Sequence, residues 1–121
     1  MKLKDDFYHI IATEQGEGEC RCKVRMNPMH FIYKAHFPNF PVTPGVCMVQ
    51  MASEILEELF KRQFILDKAV NIKFRERMGP IEEPTFVFSK IVFVDDRLSV
   101  CVSVENEKTQ YVRMSMRYQA R

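Results

Sequence analysis

The chain has 121 residues, 46% of them hydrophobic, and a formal net charge of +2. That describes one domain, residues 1–121, with enough apolar material for a core. So small a charge does not by itself imply nucleic acid, a poor fit also because the aromatics sit with the apolar residues, and no apolar run is long enough to span a bilayer. The start, Met1-Lys2-Leu3-Lys4-Asp5-Asp6, is charged and lacks the apolar centre of a secretory signal. The expectation is a cytoplasmic protein.

In chain order, residues 5–14 read as a first strand and Gln15-Gly16-Glu17-Gly18 as a turn. Residues 19–26 alternate: Cys20, Cys22, Val24 and Met26 share one side, and Arg21, Lys23 and Arg25 the other. Asn27-Pro28 ends that strand, and a proline-rich loop runs to Pro44. Thr43-Pro44 supplies a hydroxyl cap and a first-turn proline, which predicts a helix over 44–64. Its first half is apolar nearly all round, with Gln50 the polar exception, so the helix is expected to begin buried and end at the surface. In its second half Ile55, Leu56, Leu59 and Phe60 form one apolar face. Glu57 with Lys61 and Glu58 with Arg62 are spaced as i,i+4 ion pairs.

Four strands follow. Over 69–78, Val70, Ile72 and Phe74 oppose Asn71, Lys73 and Arg75. Residues 85–94 are apolar on both faces, as for a strand covered on both sides. After an Asp95-Asp96 turn, Leu98, Val100, Val102 and Val104 alternate with Ser99, Cys101 and Ser103. In 110–118, Val112, Met114 and Met116 oppose Tyr111, Arg113 and Ser115. The order β-β-α-β-β-β-β predicts an α+β domain, one long helix against an antiparallel sheet. The four cysteines show neither a CxxC motif nor a zinc spacing and read as free thiols. His9 and His30 read as structural or surface residues.

The segment His36-Phe37-Pro38-Asn39-Phe40-Pro41-Val42-Thr43-Pro44-Gly45-Val46 joins a titratable base to a stiff loop and a helix N-terminus. It resembles the signature of (3R)-hydroxyacyl-[acyl-carrier-protein] dehydratases, closely over 36–52. The element order extends the likeness to the hotdog fold, a curved antiparallel sheet wrapped around a long central helix. The resemblance implies a homodimer with sites at the subunit interface, with a higher oligomer or a heteromer with a paralogue as further arrangements. It implies no cofactor of the protein's own. The substrate would arrive on the phosphopantetheine of an acyl carrier protein or on CoA. In that family the histidine comes from one subunit and an acid, fourteen positions further on, from the other; this chain has Gln50 there. Asn39 replaces a usual glycine, and Ile81-Glu82-Glu83-Pro84 a Pro-Gly-Asp turn.

Each residue then takes a candidate role. His36 is the base, since an imidazole with a pKa of about 6.5 suits proton transfer at neutral pH; the alternative is a histidine that caps a loop. By the resemblance, the Val42 carbonyl orients that ring. Gly45 offers a first-turn N–H to an enolate-like oxygen and leaves space for a thioester, or is needed for packing alone. Phe40 and Val46 complete the substrate-binding set. The Gln50 amide can hold a hydroxyl or a water but cannot protonate a leaving group. That leaves three readings: a dehydratase whose proton comes from water or the imidazolium, a thioesterase in which Gln50 positions the hydrolytic water, and a silent acyl-binding or partner subunit. Glu54, about 6 Å further along the helix, is a poorly placed substitute acid. Lys73, Arg75 and Arg77 are carrier-binding candidates, or part of a solvated sheet face with Arg21, Lys23, Arg25, Arg113 and Arg117.

Overall fold

A computed structural model describes residues 2–35, 39 and 41–121. Its elements are β1 (Tyr8–Gly16), β2 (Glu19–Met26), α1 (Phe31–Ala35), α2 (Gly45–Phe60), β3 (Phe64–Phe74), β4 (Thr85–Val94), β5 (Arg97–Glu105) and β6 (Gln110–Ala120). The six strands form one antiparallel sheet in the order β1-β2-β4-β5-β6-β3. The predicted element order stands, with the short α1 added inside the stretch read as loop.

Period-two alternation accounts for the core. Cys20, Cys22, Val24 and Met26 of β2, Leu98, Val100, Val102 and Val104 of β5, and Val112, Met114 and Met116 of β6 are all buried. They meet Cys47, Met48, Met51, Ala52, Ile55 and Leu56 of α2. All four cysteines are free. On β4 the both-faces reading holds only for Phe86, Val87 and Phe88. Beyond a bulge between Ser89 and Val92 the strand leaves the core, and Val92, Phe93 and Val94 are exposed.

The helix is shorter than predicted at both ends. Lys61 takes a left-handed conformation (φ 54°) and closes α2, so 61–64 is not helical. Phe64 opens β3 instead, paired with Ala120, its N–H donating to Glu57 Oε2 at 2.8 Å. The expected i,i+4 pairs are re-partnered. Glu58 lies 3.2 Å from Lys4 Nζ, and Arg62 lies 3.4 Å from Asp96. At the other end the N-cap is Pro44, with no side-chain cap. The Thr43 hydroxyl is spent on Tyr33 Oη, 2.8 Å away. The helix begins buried at Cys47 and Met48 but not at Val46, which is 70% exposed, and no helical residue after Leu56 is buried, as expected of an end at the surface.

β3 runs earlier than the predicted 69–78 and forms one edge of the sheet. Its apolar face is not covered: Ile72 and Phe74 are exposed. Around α1, His30 is buried. Its Nδ1 accepts the Ile32 N–H at 3.1 Å, so Nε2 carries the proton and donates to Asp6 at 3.2 Å. It is a structural histidine, stacked on Phe31 and edge-on to Phe7. His9 is exposed beside Asp5.

Candidate active site

The start of α2 is held on two sides. Thr43 N–H donates to Met78 O at 2.8 Å, and the Thr43 hydroxyl meets Tyr33. Burial pushes the Tyr33 phenol up to about 12, the Thr43 bond opposing the shift, so the pair stays neutral near pH 7. Within α2 the amides of Cys47 and Met48 turn back onto Pro44 O. Those of Gly45 and Val46 precede any intrahelical acceptor and carry the positive end of the helix dipole.

A groove of about 500 Å³ opens at this point. Val42, Gly45 and Met48 form one wall, and Phe74, Arg75 and Arg77 the other. The Phe74 ring lies directly over Gly45: a Cβ there would come within 2.5 Å of Cζ and 2.6 Å of Cε1. Glycine is therefore required for close approach of a ring, whatever it does for a substrate. Glu76 lines the groove as well and adds one carboxylate to the two guanidinium groups.

Gln50 faces elsewhere. Five residues after Gly45, it is rotated about 140° around the helix and about 7.5 Å along it. It lines a second groove, of about 490 Å³, with Lys2, Lys4, Glu54, Glu57 and Lys61. Its Nε2 donates to Glu54 Oε2 at 2.8 Å. Glu54 is only 7% exposed and is the centre of a network. Oε2 also accepts the Leu3 N–H at 2.8 Å, while Oε1 accepts the Lys4 N–H at 2.8 Å and Tyr8 Oη–H at 3.0 Å. Burial first, and then the Glu54 charge and bond, push the Tyr8 phenol far above its ordinary range. So Tyr8 is a permanent donor and Glu54 a carboxylate with four donors on it. An acceptor so fully engaged is not a substitute acid, which removes the role weighed for Glu54.

Of the residues named from sequence, Val42, Gly45, Arg75 and Arg77 thus share one groove. Val46 sits on the exposed first turn beside it. Lys73 is exposed on β3, opposite Arg113 in register, and is not part of the groove wall. Gln50 lies in the other groove. His36 and Phe40 fall outside the described residues. Sequence reasoning missed Phe74, Glu76 and the Glu54–Tyr8 network. The i,i+4 spacing of Gln50 and Glu54 was the one visible signal for the last of these.

This arrangement provides backbone donors for an oxygen, cations for a phosphate and an amide for a hydroxyl, on a sheet-wrapped helix. Residues 12–120 match the model of the ApeI-like family, described as ApeI dehydratase. The chain belongs to that family and has the hotdog fold. No curated protein sequence gives a significant match. Among solved structures, the dehydratase heterocomplex ApeI:P from Xenorhabdus doucetiae is 17% identical, with a TM-score of 0.67, over 92% of this chain and 96% of that one. A hypothetical thioesterase with coenzyme A from Streptococcus pneumoniae TIGR4 is 7% identical, with a TM-score of 0.68, over 98% and 92%. The protein smu.793 from Streptococcus mutans UA159, bound to acetyl CoA, is 9% identical, with a TM-score of 0.69, over 97% and 90%. At these identities the structures share the fold.

Proposed function

We propose that the protein dehydrates 3-hydroxyacyl thioesters during fatty acid or polyketide-type chain synthesis, its substrate carried on an acyl carrier protein or CoA. The observation that carries this, beside family membership, is the groove in which the Gly45 amide and the Arg75 and Arg77 guanidinium groups share walls. One end suits a thioester oxygen, the other a pantetheine phosphate or an acidic carrier. His36 takes the proton from the carbon next to the thioester carbonyl. The electrons move onto the carbonyl oxygen, held by the Gly45 N–H, and return to expel the 3-hydroxyl group. That group leaves as water, protonated by the imidazolium just formed, and the product is the 2-enoyl thioester.

In this reading the working unit is a homodimer. Within one chain Gln50 and Gly45 face different grooves, so a site using both draws them from two subunits. The open edge of β3, with Ile72 and Phe74 exposed, is a ready surface for a second copy. Incubating the protein with a 3-hydroxyacyl carrier substrate tests the proposal. Enoyl product that disappears in His36→Ala supports it, and its absence refutes it. Gln50 favours a second reading, because an amide serves a hydrolytic water as well as a hydroxyl. Release of free acid would establish that thioesterase instead. Neither product would leave an acyl-binding subunit that pairs with an active paralogue.

A further inference from the structure

The outer face of the sheet, turned away from α2, carries positive charge that the chain leaves unmatched. Lys68 and Lys73 of β3 stand directly opposite Arg117 and Arg113 of β6, and all four are exposed. Like charges so opposed destabilise a sheet. No carboxylate of the described residues forms an ion pair with any of the four. β6 holds no acid, and β3 holds only Asp67, in a bulge beside Lys68. The cations of β2, on the same face, differ. Arg21 lies 2.9 Å from Glu19 and Arg25 lies 2.9 Å from Glu83, while Lys23 shares a groove with Glu83 and Glu107. The unmatched charge is therefore confined to the β6–β3 side.

Beside it runs a lane of small side chains. Ser99, Cys101 and Ser103 of β5 lie next to Arg117, Ser115 and Arg113, and Val87 and Ser89 of β4 lie beyond them. Glu105, at one end of the lane, accepts the Ser103 hydroxyl at 2.6 Å. At the other end Arg97 follows the Asp95-Asp96 turn, whose Asp96 pairs with Arg62. Strands lie about 4.8 Å apart, so the lane from β6 across to β2 is about 14 Å wide. An α-helix with its side chains is about 10–12 Å across. Arg113 and Arg117 are about 13 Å apart along β6, the rise of about nine helical residues. We propose that this face docks an acidic α-helix of a partner protein, its carboxylates along Arg113 and Arg117 and its small residues against the lane.

Other partners fit less well. Single-stranded nucleic acid stacks on aromatic rings, and the lane has none. A bilayer takes up large apolar side chains, and serines and a cysteine lie between these cations. A second copy joined at the β3 edge would bring its own Lys68 and Lys73 against one Asp67, which enlarges the field. The sheet itself separates this face from the groove at Gly45. A carrier delivering a thioester to that groove is not what docks here, and Lys73 parts company with Arg75 and Arg77. The partner is one that holds the protein in an assembly. The inference stands apart from the proposed reaction.

The probe is a synthetic alanine-based helix of about twenty residues with glutamates down one stripe. Its control has the same composition with the glutamates spread around the helix. Titrated by fluorescence anisotropy into the full chain at low salt, the striped helix should bind about tenfold tighter. Arg113→Thr/Arg117→Thr should remove that preference, and Arg21→Thr/Arg25→Thr should change it by less than about twofold. Equal binding of the two helices, or a preference that survives Arg113→Thr/Arg117→Thr, overturns the proposal. Phosphatidylcholine vesicles with about 30% phosphatidylserine and a duplex DNA of about twenty base pairs are titrated alongside. Tighter binding to either than to the striped helix overturns the choice of partner. Apo acyl carrier protein should bind Arg113→Thr/Arg117→Thr no more weakly than the native protein; a loss there assigns the face to the carrier and overturns the separation from the groove. The thermal midpoint of Arg113→Thr/Arg117→Thr at low salt should equal or exceed the native one, because repulsion is relieved. A fall would make the two arginines structural and overturn the reading of them as unmatched charge.

Discussion

Gly45 has two candidate reasons for being glycine, and one experiment separates them. In Gly45→Ala the new Cβ would sit 2.5 Å and 2.6 Å from two ring carbons of Phe74, against an ordinary contact of about 3.5–4.0 Å. The ring must back away by roughly 1 Å, leaving its rotamer at a cost of about 0.5–1.5 kcal/mol plus some lost contact. Alanine returns up to about 1 kcal/mol of helix propensity, less in a first turn. The net expectation for Gly45→Ala is a loss of about 0.5–1 kcal/mol. With Phe74→Ala in place the obstruction is gone, and the same change should stabilise by about 0.5 kcal/mol. The coupling is therefore about 1–1.5 kcal/mol, read from urea unfolding of the four proteins at one protein concentration. Additivity within about 0.5 kcal/mol would refute the packing account. Activity then tests the second reason. A thioester reaches the Gly45 N–H only when the Phe74 ring swings off it, so Phe74→Ala should keep turnover, whereas Gly45→Ala/Phe74→Ala should fold and stay inactive, its methyl group crowding that approach in place of the ring.

Glu54→Ala should cost about 3–5 kcal/mol, because the buried Leu3 N–H and Tyr8 hydroxyl lose a charged acceptor, and Tyr8→Phe only about 1 kcal/mol; urea midpoints rank the two. Tyr33 and Tyr118, both pushed up to about 12 by burial, should make the fold lose stability as pH rises from 10 toward 12, where unfolded phenols ionise and folded ones do not. Midpoints compared at pH 9 and 11 check this, a flat profile refuting it.

Strands β2, β5 and β6 could be read from the sequence because one face of each is wet, which writes alternation into the chain. The helix end could not. Phe60 and Phe64 keep the helical spacing, and only the left-handed Lys61 breaks it, a backbone choice that no lysine announces. β3 was legible only in part: its alternation marks a strand, but its apolar face is exposed, so the pattern fixes neither its start at Phe64 nor its partner β6. At the candidate site, His36, Gly45 and Gln50 were picked out by their spacing along a loop and a helix; Gly45 and Gln50 line different grooves, and His36 lies outside the described residues. Glu54 was visible only as an acid four residues on. What makes it an acceptor is contributed by Leu3, Lys4 and Tyr8, far away in the chain. Likewise the Phe74 ring reaches Gly45 across the groove, and Thr43 looks like a cap until Tyr33 claims its hydroxyl.

The distance between those partners has its own consequence. Residues 3, 4 and 8 meet residue 54 across 46 to 51 positions, so this contact closes a long loop and belongs among the late events of folding. Helix α2 can form before it, with the Gln50 amide still turning. The polarity of that amide is thus acquired when the opening segment docks. A protease cut or a bulky fusion at residues 2–4 would remove two of the four donors that fix Glu54, and with them part of what orients a side chain fifty residues away.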